Sequence, residues 1–268
     1  MQTSSFSSNV RLFFHGAWLS YVALFHWFRP INYMASKVLM PLAQMFFFVF
    51  LGTFATSPDN ASFYVIGNAI QITAVSGIFG VTMSVGGERE TGTLPYLFGT
   101  PANRIVTFFG RAFMHVIDGM LGVIIAFAWG VILFGLDLSQ TDIPALALTI
   151  FVTTISTCGL GLLMGCLSLV TVNVMFINNF VYFALLVFSG ANVPIDRFPA
   201  IMQSISWTLP LTRGITAARM LVGGAGFSDV SPLIWGEVGI GLLYGFIGYL
   251  LFSWFETQAK KYGTLEVF

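Results

Sequence analysis

Four ionisable side chains stand inside otherwise apolar stretches of this sequence, and they are its first candidates for chemistry. Arg111, His115 and Asp118 recur at steps of four and three residues, so a helix would carry them on one face. Glu237 stands near the start of the last apolar stretch. Such a set suits a proton or ion relay. The alternative is an Arg–Asp pair that holds one end of a helical bundle together, with His115 packed beside it.

Uncharged polar residues form a second set within the apolar stretches. Asn68 and Gln71 are three residues apart, and Asn178 and Tyr182 are four apart, so each pair shares a helical face. Together with Gln44, they are candidates to bind a molecule that passes between helices. The alternative is that each amide or phenol group hydrogen-bonds a neighbouring helix.

A polar island at residues 86–94 separates two long apolar runs. Its sequence is Gly86-Gly87-Glu88-Arg89-Glu90-Thr91-Gly92-Thr93-Leu94. Three consecutive ionisable side chains are costly in hydrocarbon, so the island marks a short excursion out of a bilayer. We expect it to be a contact site for a cytosolic partner.

The chain lacks the sequence features of an enzyme. A phosphate-binding Walker A loop needs a lysine between Gly and Ser or Thr, and Lys37, Lys260 and Lys261 have no such neighbours. Any ATP hydrolysis is therefore expected in a separate chain. A lipid-modifying enzyme is a weaker alternative, because only His115 and Asp118 offer acid–base chemistry and no nucleophile accompanies them.

The scaffold that positions these residues is strongly apolar. Hydrophobic residues make up 56% of the 268 residues and charged residues 8%, against roughly 25% charged in soluble domains. The mean hydropathy is +0.86. The formal net charge is +0, which provides no basic surface to attract nucleic acid. We conclude that this is an integral membrane protein.

Six runs have the roughly 20 residues that cross a bilayer as a helix. They lie at 37–55, 63–86, 105–135, 145–169, 174–192 and 232–255. The fold class is therefore expected to be all-α, with six transmembrane helices in a single domain over residues 1–268. No repeat relates the two halves, which argues against a proton-coupled secondary transporter.

The charges of the connections predict the topology. Connections 56–62 and 136–144 contain Asp but no Lys or Arg, whereas Arg89, Arg104 and Lys260 fall on the opposite side. The positive-inside rule then places both termini in the cytosol.

Two further segments are expected to be helical without crossing. Over 10–30, Phe14, Trp18, Tyr21 and Phe25 form one aromatic stripe, which favours an amphipathic helix in the cytosolic interface over a seventh, irregular span. Over 193–231, two apolar pieces are too short to cross, and Trp207-Thr208-Leu209-Pro210 breaks the pattern between them. They predict a re-entrant or outer-side helical hairpin before the last span.

The ordered motifs of this chain resemble those of the permease subunits of type-2 ATP-binding-cassette (ABC) exporters. The resemblance rests on Glu88-Arg89-Glu90-Thr91-Gly92-Thr93-Leu94, Thr100-Pro101-Ala102-Asn103-Arg104, Phe188-Ser189-Gly190, Val193-Pro194 and Leu209-Pro210-Leu211-Thr212. It covers nearly the whole chain.

The resemblance implies a function and a set of partners. Segment 88–99 would be the coupling helix that docks on an ATPase subunit, which would bind ATP and Mg; the chain itself would hold no cofactor. A second permease, identical or paralogous, would complete the pathway in the cell membrane. We expect a drug- or lipid-like cargo from the apolar interior, with a polysaccharide or glycolipid as the alternative.

Overall fold

The computed structural model describes residues 6–27, 30–90, 92, 104–168 and 173–262, and these residues are helical apart from short connections. No strand occurs among them. The α-helices are α1 (Phe6–Trp27), α2 (Pro30–Ala55), α3 (Ala61–Ala74), α4 (Val81–Glu90), α5 (Arg104–Phe134), α6 (Ile143–Ser168), α7 (Val174–Phe188), α8 (Ala200–Thr208), α9 (Thr212–Val222) and α10 (Phe227–Tyr262). The all-α prediction is confirmed for the described part of the chain.

The second membrane-crossing element is a single rod with an irregular centre. A π-helical segment, Val75–Gly80, joins α3 to α4 without a break. Short π-helical turns inside α-helices are rare and occur often at functional sites. The rod begins after a 3₁₀ turn, Pro58–Asn60, in which the Ser57 hydroxyl accepts the N–H of Asp59.

Five segments of the described chain are long and apolar enough to cross a membrane. They are Ile31–Ala55, Pro58–Gly86, Ala112–Phe134, Ile143–Ser168 and Phe227–Gln258. Five of the six predicted spans are thus matched by such segments, although the first and last helices begin earlier than predicted, at Pro30 and Phe227.

The predicted fifth span, 174–192, is too long at its end. Helix α7 has 15 residues and stops at Phe188. Gly190 adopts φ 83°, a left-handed conformation that ends a helix readily because glycine has no Cβ. At 1.5 Å per residue, α7 is about 22 Å long, less than the ~30 Å hydrocarbon thickness.

The two segments predicted to be helical without crossing are indeed helices. Helix α1 packs against α5, where Phe13 contacts Phe113 with ring centroids 5.5 Å apart, while Phe14 and Trp18 are exposed. Helices α8 and α9 are separated at Leu209–Leu211, as the Pro210 break predicted. Their depths in a bilayer remain predictions.

Helix α6 contacts its neighbours through small residues. A Cβ at Gly161 would clash with the Gly77 carbonyl oxygen, and one at Gly241 would lie 2.8 Å from the Ser156 Cα. Such contacts require glycine because the backbones themselves touch. The buried core surrounds α3 and α6 and includes Ile70, Leu185 and Ile215.

Candidate functional site

Three of the predicted polar residues form one hydrogen-bonded chain between α2, α3 and α7. Gln44 Nε2 donates to Asn68 Oδ1 at 3.2 Å, and the Tyr182 hydroxyl donates to Gln44 Oε1 at 2.8 Å. Asn68 Nδ2 continues the chain to Asn192 Oδ1 at 2.8 Å. We call Gln44, Asn68, Tyr182 and Asn192 the amide network. Each link joins two different elements, so the network fixes their relative positions.

The two remaining predicted amides lie close to this network but keep free donors. The Ser189 hydroxyl donates to Gln71 Oε1 at 3.3 Å. Gln71 Nε2 and Asn178 Nδ2 are buried and have no hydrogen-bond partner among the described residues. Buried donors without partners are uncommon, because each loses its hydrogen bonds to water. These two groups are available to a bound molecule or to water.

An ionic cluster lies nearer the N-terminal end of α2. Pro41 separates it along this helix from Gln44 of the amide network. Lys37 Nζ is 2.5 Å from Asp118 Oδ2, and the two side chains are 15% and 9% exposed. The hydroxyls of Tyr33 and Ser76 also donate to this carboxylate, at 2.5 and 2.7 Å. We call Tyr33, Lys37, Ser76 and Asp118 the ionic cluster.

The partner of Asp118 is therefore Lys37, which the sequence analysis considered only in the search for a Walker A loop. The alternative considered for Asp118 was a pair with Arg111, whose side chain lies outside the described residues. Part of the signal for Lys37 was present in the sequence: a lone lysine within an apolar helix requires an internal counter-ion, and Asp118 and Glu237 are the acids within apolar stretches.

Two of the three helical elements that carry the ionic cluster are irregular near it. Pro41 has no backbone N–H, so the carbonyl of Lys37, four residues earlier, loses its helical donor. Ser76 lies in the π-helical segment. Two irregular helical segments therefore lie next to the salt bridge.

His115 shares the predicted face with Asp118 but makes its contact elsewhere. Its Nε2 lies 2.6 Å from the Ser84 hydroxyl oxygen on α4, and its ring packs against Gly80, where a Cβ would clash. The ring is 5% exposed. His115 thus packs on the rod formed by α3, the π-helical segment and α4, while Asp118 contacts the same rod and α2.

Glu237 contacts the segment between α8 and α9. Its Oε1 accepts the backbone N–H of Leu211 at 2.9 Å, at the beginning of α9. Leu211 adopts φ 82°, an unfavourable conformation for a residue with a Cβ. The carboxyl group is 1% exposed and lies at the positive end of the α9 dipole.

Arg219, which the sequence analysis did not single out, links α9 to α3 and to the segment after α7 through hydrogen bonds. Its guanidinium donates to the carbonyls of Phe63 on α3 and of Gly190 and Ala191 after α7, at 2.8–2.9 Å. Burial lowers the pKa of Arg219 to about 9, which leaves it protonated at neutral pH. A Cβ at Gly67 would clash with the Ala191 carbonyl, so glycine is required beside this link.

The predicted coupling segment is described only in part. Glu88, Arg89 and Glu90 form the last turn of α4, and nothing is described of their side chains. Gly92 adopts φ 69°. Thr91, Thr93, Leu94 and the rest of the predicted 88–99 helix lie outside the described residues. The docking role of this segment remains a prediction.

The fold is that of a polytopic membrane protein whose apolar core contains a few hydrogen-bonded polar side chains. The sequence profile of the ABC-2 type transporter family matches residues 17–222, more than half of the chain. The chain therefore belongs to the ABC-2 type transporter family, as the permease component. The search of curated proteins finds no match.

Membership of this family defines the role in outline. The chain is the membrane subunit of an ABC transporter and is not itself catalytic. It is a multi-pass membrane protein, and its family implies a partner ATPase subunit.

Proposed function

We propose that the chain is the permease of an ATP-driven exporter that moves a lipophilic or amphipathic molecule, drug-like or lipid-like, out of the cytoplasm or the inner leaflet. Two permease copies or paralogues form the pathway, and each binds one ATPase subunit that supplies ATP and Mg. Helix α7 is the fifth span in chain order and completes the set of six, and both termini lie in the cytosol. Helices α8 and α9 form the outer-side hairpin.

The observation that carries the proposal is the amide network. Its members hydrogen-bond but carry no charge, and the neighbouring Phe79 ring packs against Tyr182 with centroids 5.8 Å apart. Amides and aromatic rings buried between helices suit a largely apolar molecule with a few hydrogen-bond acceptors. The free donors of Gln71 and Asn178 are the groups that such acceptors would meet.

The coupling step follows from the position of the polar island. Glu88, Arg89 and Glu90 end α4, which is continuous with the rod that carries Asn68 and Gln71. A partner that binds this end by charge-assisted hydrogen bonds moves the rod directly. Displacement at the cytosolic end therefore reaches the amide network without an intervening loop.

Reconstitution with the ATPase tests the proposal. We expect lipophilic drugs or lipids to stimulate ATP hydrolysis by the complex in proteoliposomes and to be transported into vesicles whose ATPase faces outward. Soluble oligosaccharides at equal concentration should have no effect. Stimulation by oligosaccharides alone would favour the polysaccharide or glycolipid alternative and overturn the proposed cargo.

A further inference from the structure

Glu237 differs from the other buried carboxyl group of the bundle in having no cation bonded to it. Asp118 has Lys37 at 2.5 Å, whereas no salt bridge to Glu237 is found among the described residues. Among the described residues, Arg213 is the cation whose charge attracts the Glu237 carboxylate. Its guanidinium instead donates to the Trp207 carbonyl at 2.5 Å and lies over the Trp207 ring.

The two oxygens of Glu237 have different surroundings. Oε1 accepts the N–H of Leu211 at 2.9 Å, and the N–H of Gly214 faces the same carboxyl group. Oε2 is buried and has no geometrically well-formed hydrogen bond in the described part of the chain. The Ser156 hydroxyl of α6 faces this group, is buried, and likewise has no geometrically well-formed hydrogen bond in the described part of the chain.

Two effects compete over the charge of this group. The N-terminal end of α9 and its N–H donors favour an anion. Complete burial without a bonded cation, in a helix that spans the membrane, disfavours an anion more strongly than one helix terminus favours it. Protonation removes this penalty while Oε1 still accepts the N–H of Leu211.

We propose that Glu237 is a proton-binding site: the side chain caps α9 as a neutral carboxylic acid, with the proton on Oε2 donated to the Ser156 hydroxyl. One proton then satisfies both unbonded oxygens and joins α6, α9 and α10. If α9 moved away, Oε1 would lose the Leu211 N–H and water would reach the acid, which would release its proton. This inference concerns a site separate from the amide network and does not depend on the proposed cargo.

The substitution Glu237→Gln tests the proton, because an amide keeps one acceptor and one donor in the same shape. We expect the variant to match the wild type in thermal stability and in ATPase activity with its partner. Glu237→Ala should reduce both, since Leu211 loses its acceptor. Glu256→Gln, on the same helix, is the matched control. Failure of Glu237→Gln to fold, or a marked loss of its stability, would show that the native group is an anion and would overturn the proposal.

Infrared spectroscopy of the purified wild type provides the direct measurement. We expect a carbonyl band of a protonated carboxylic acid at neutral pH that shifts in heavy water, is absent in Glu237→Gln and persists in Glu256→Gln. Ser156→Ala should move this band, because the acid loses its acceptor. A wild-type spectrum without any such band at neutral pH would overturn the assignment, whatever the variants do.

Discussion

Lys37 Nζ lies 2.5 Å from Asp118 Oδ2, so a salt bridge joins α2 to α5 inside the bundle. Because Tyr33 and Ser76 also donate to the same carboxylate, the pair has few unmet hydrogen bonds. The geometry favours a structural role over a proton relay: His115 contacts Ser84 on α4 rather than continuing a chain from Asp118.

We predict that Asp118→Asn destabilises the permease by about 3–5 kcal/mol, because it leaves the Lys37 cation buried without a counter-ion. The measurement is thermal unfolding in detergent, with the exposed Asp59→Asn as the control. Substrate affinity should change less than stability. A normal melting temperature together with a selective loss of pH-dependent transport would contradict this and support the relay.

A double substitution separates the charge from the packing. We expect Lys37→Met combined with Asp118→Leu to recover much of the stability that Asp118→Asn loses, since neither charge then remains buried. A double variant as unstable as Asp118→Asn would show that the lost stability comes from the hydrogen bonds of Tyr33 and Ser76 to the carboxylate, and not from the unpaired charge of Lys37.

We predict that Tyr182→Phe weakens substrate stimulation of the ATPase. The change removes the hydroxyl that bonds Gln44 Oε1 and leaves a partly buried acceptor unpaired, at a cost of about 1–3 kcal/mol. The concentration of drug or lipid giving half-maximal stimulation should rise about tenfold, which corresponds to roughly 1.4 kcal/mol. Tyr249→Phe, at an exposed tyrosine, should leave it unchanged. An equal effect of both variants would argue against the amide network as the binding site.

We predict that Arg219→Lys lowers stability although it keeps the charge. A single ammonium cannot reproduce the fork that binds the carbonyls of Phe63, Gly190 and Ala191. Hydrogen bonds from charged groups contribute about 1.5–3 kcal/mol each, so we expect a loss of at least about 2 kcal/mol. The exposed Arg197→Lys is the control. Equal melting temperatures of the two variants would show that the hydrogen bonds of the Arg219 guanidinium do not stabilise the fold.

We predict that Glu88→Ala with Glu90→Ala reduces co-purification of the ATPase, or uncouples ATP hydrolysis from transport, while the permease still inserts. The reason is the loss of the charges at the end of α4 that would bind the partner. Asp59→Ala, on the opposite predicted side, should have neither effect. Normal coupling in proteoliposomes would exclude this segment as the docking site.

Sequence patterns predicted the elements that depend on apolar runs and on helix-breaking residues. Composition gave the membrane class, and the break at Pro210 appeared where it was expected. The end of α7 was misplaced by four residues, because Ser189 to Ala191 are buried, and Asn192 half-buried, for a different reason: they bond Gln71, Asn68 and Arg219. Hydropathy cannot distinguish such a loop from the last turn of a helix.

The polar residues were found more readily than their partners. Gln44, Asn68 and Tyr182 were recognised because polar groups are rare in apolar helices. Their contacts join residues 24 and 138 positions apart, and no local pattern encodes such pairs. The Lys37–Asp118 pair was missed for the same reason, since 81 positions separate the two residues.

The close approach of Gly77 and Gly161 limits how the bundle can change shape. No side chain separates the two backbones there, so neither helix can rotate or slide without a collision. We expect these two helices to move together as one unit. Any widening of the passage during a transport cycle then requires α2 to bend at Pro41 and the short α7 to move. An even expansion of all the helices is not expected.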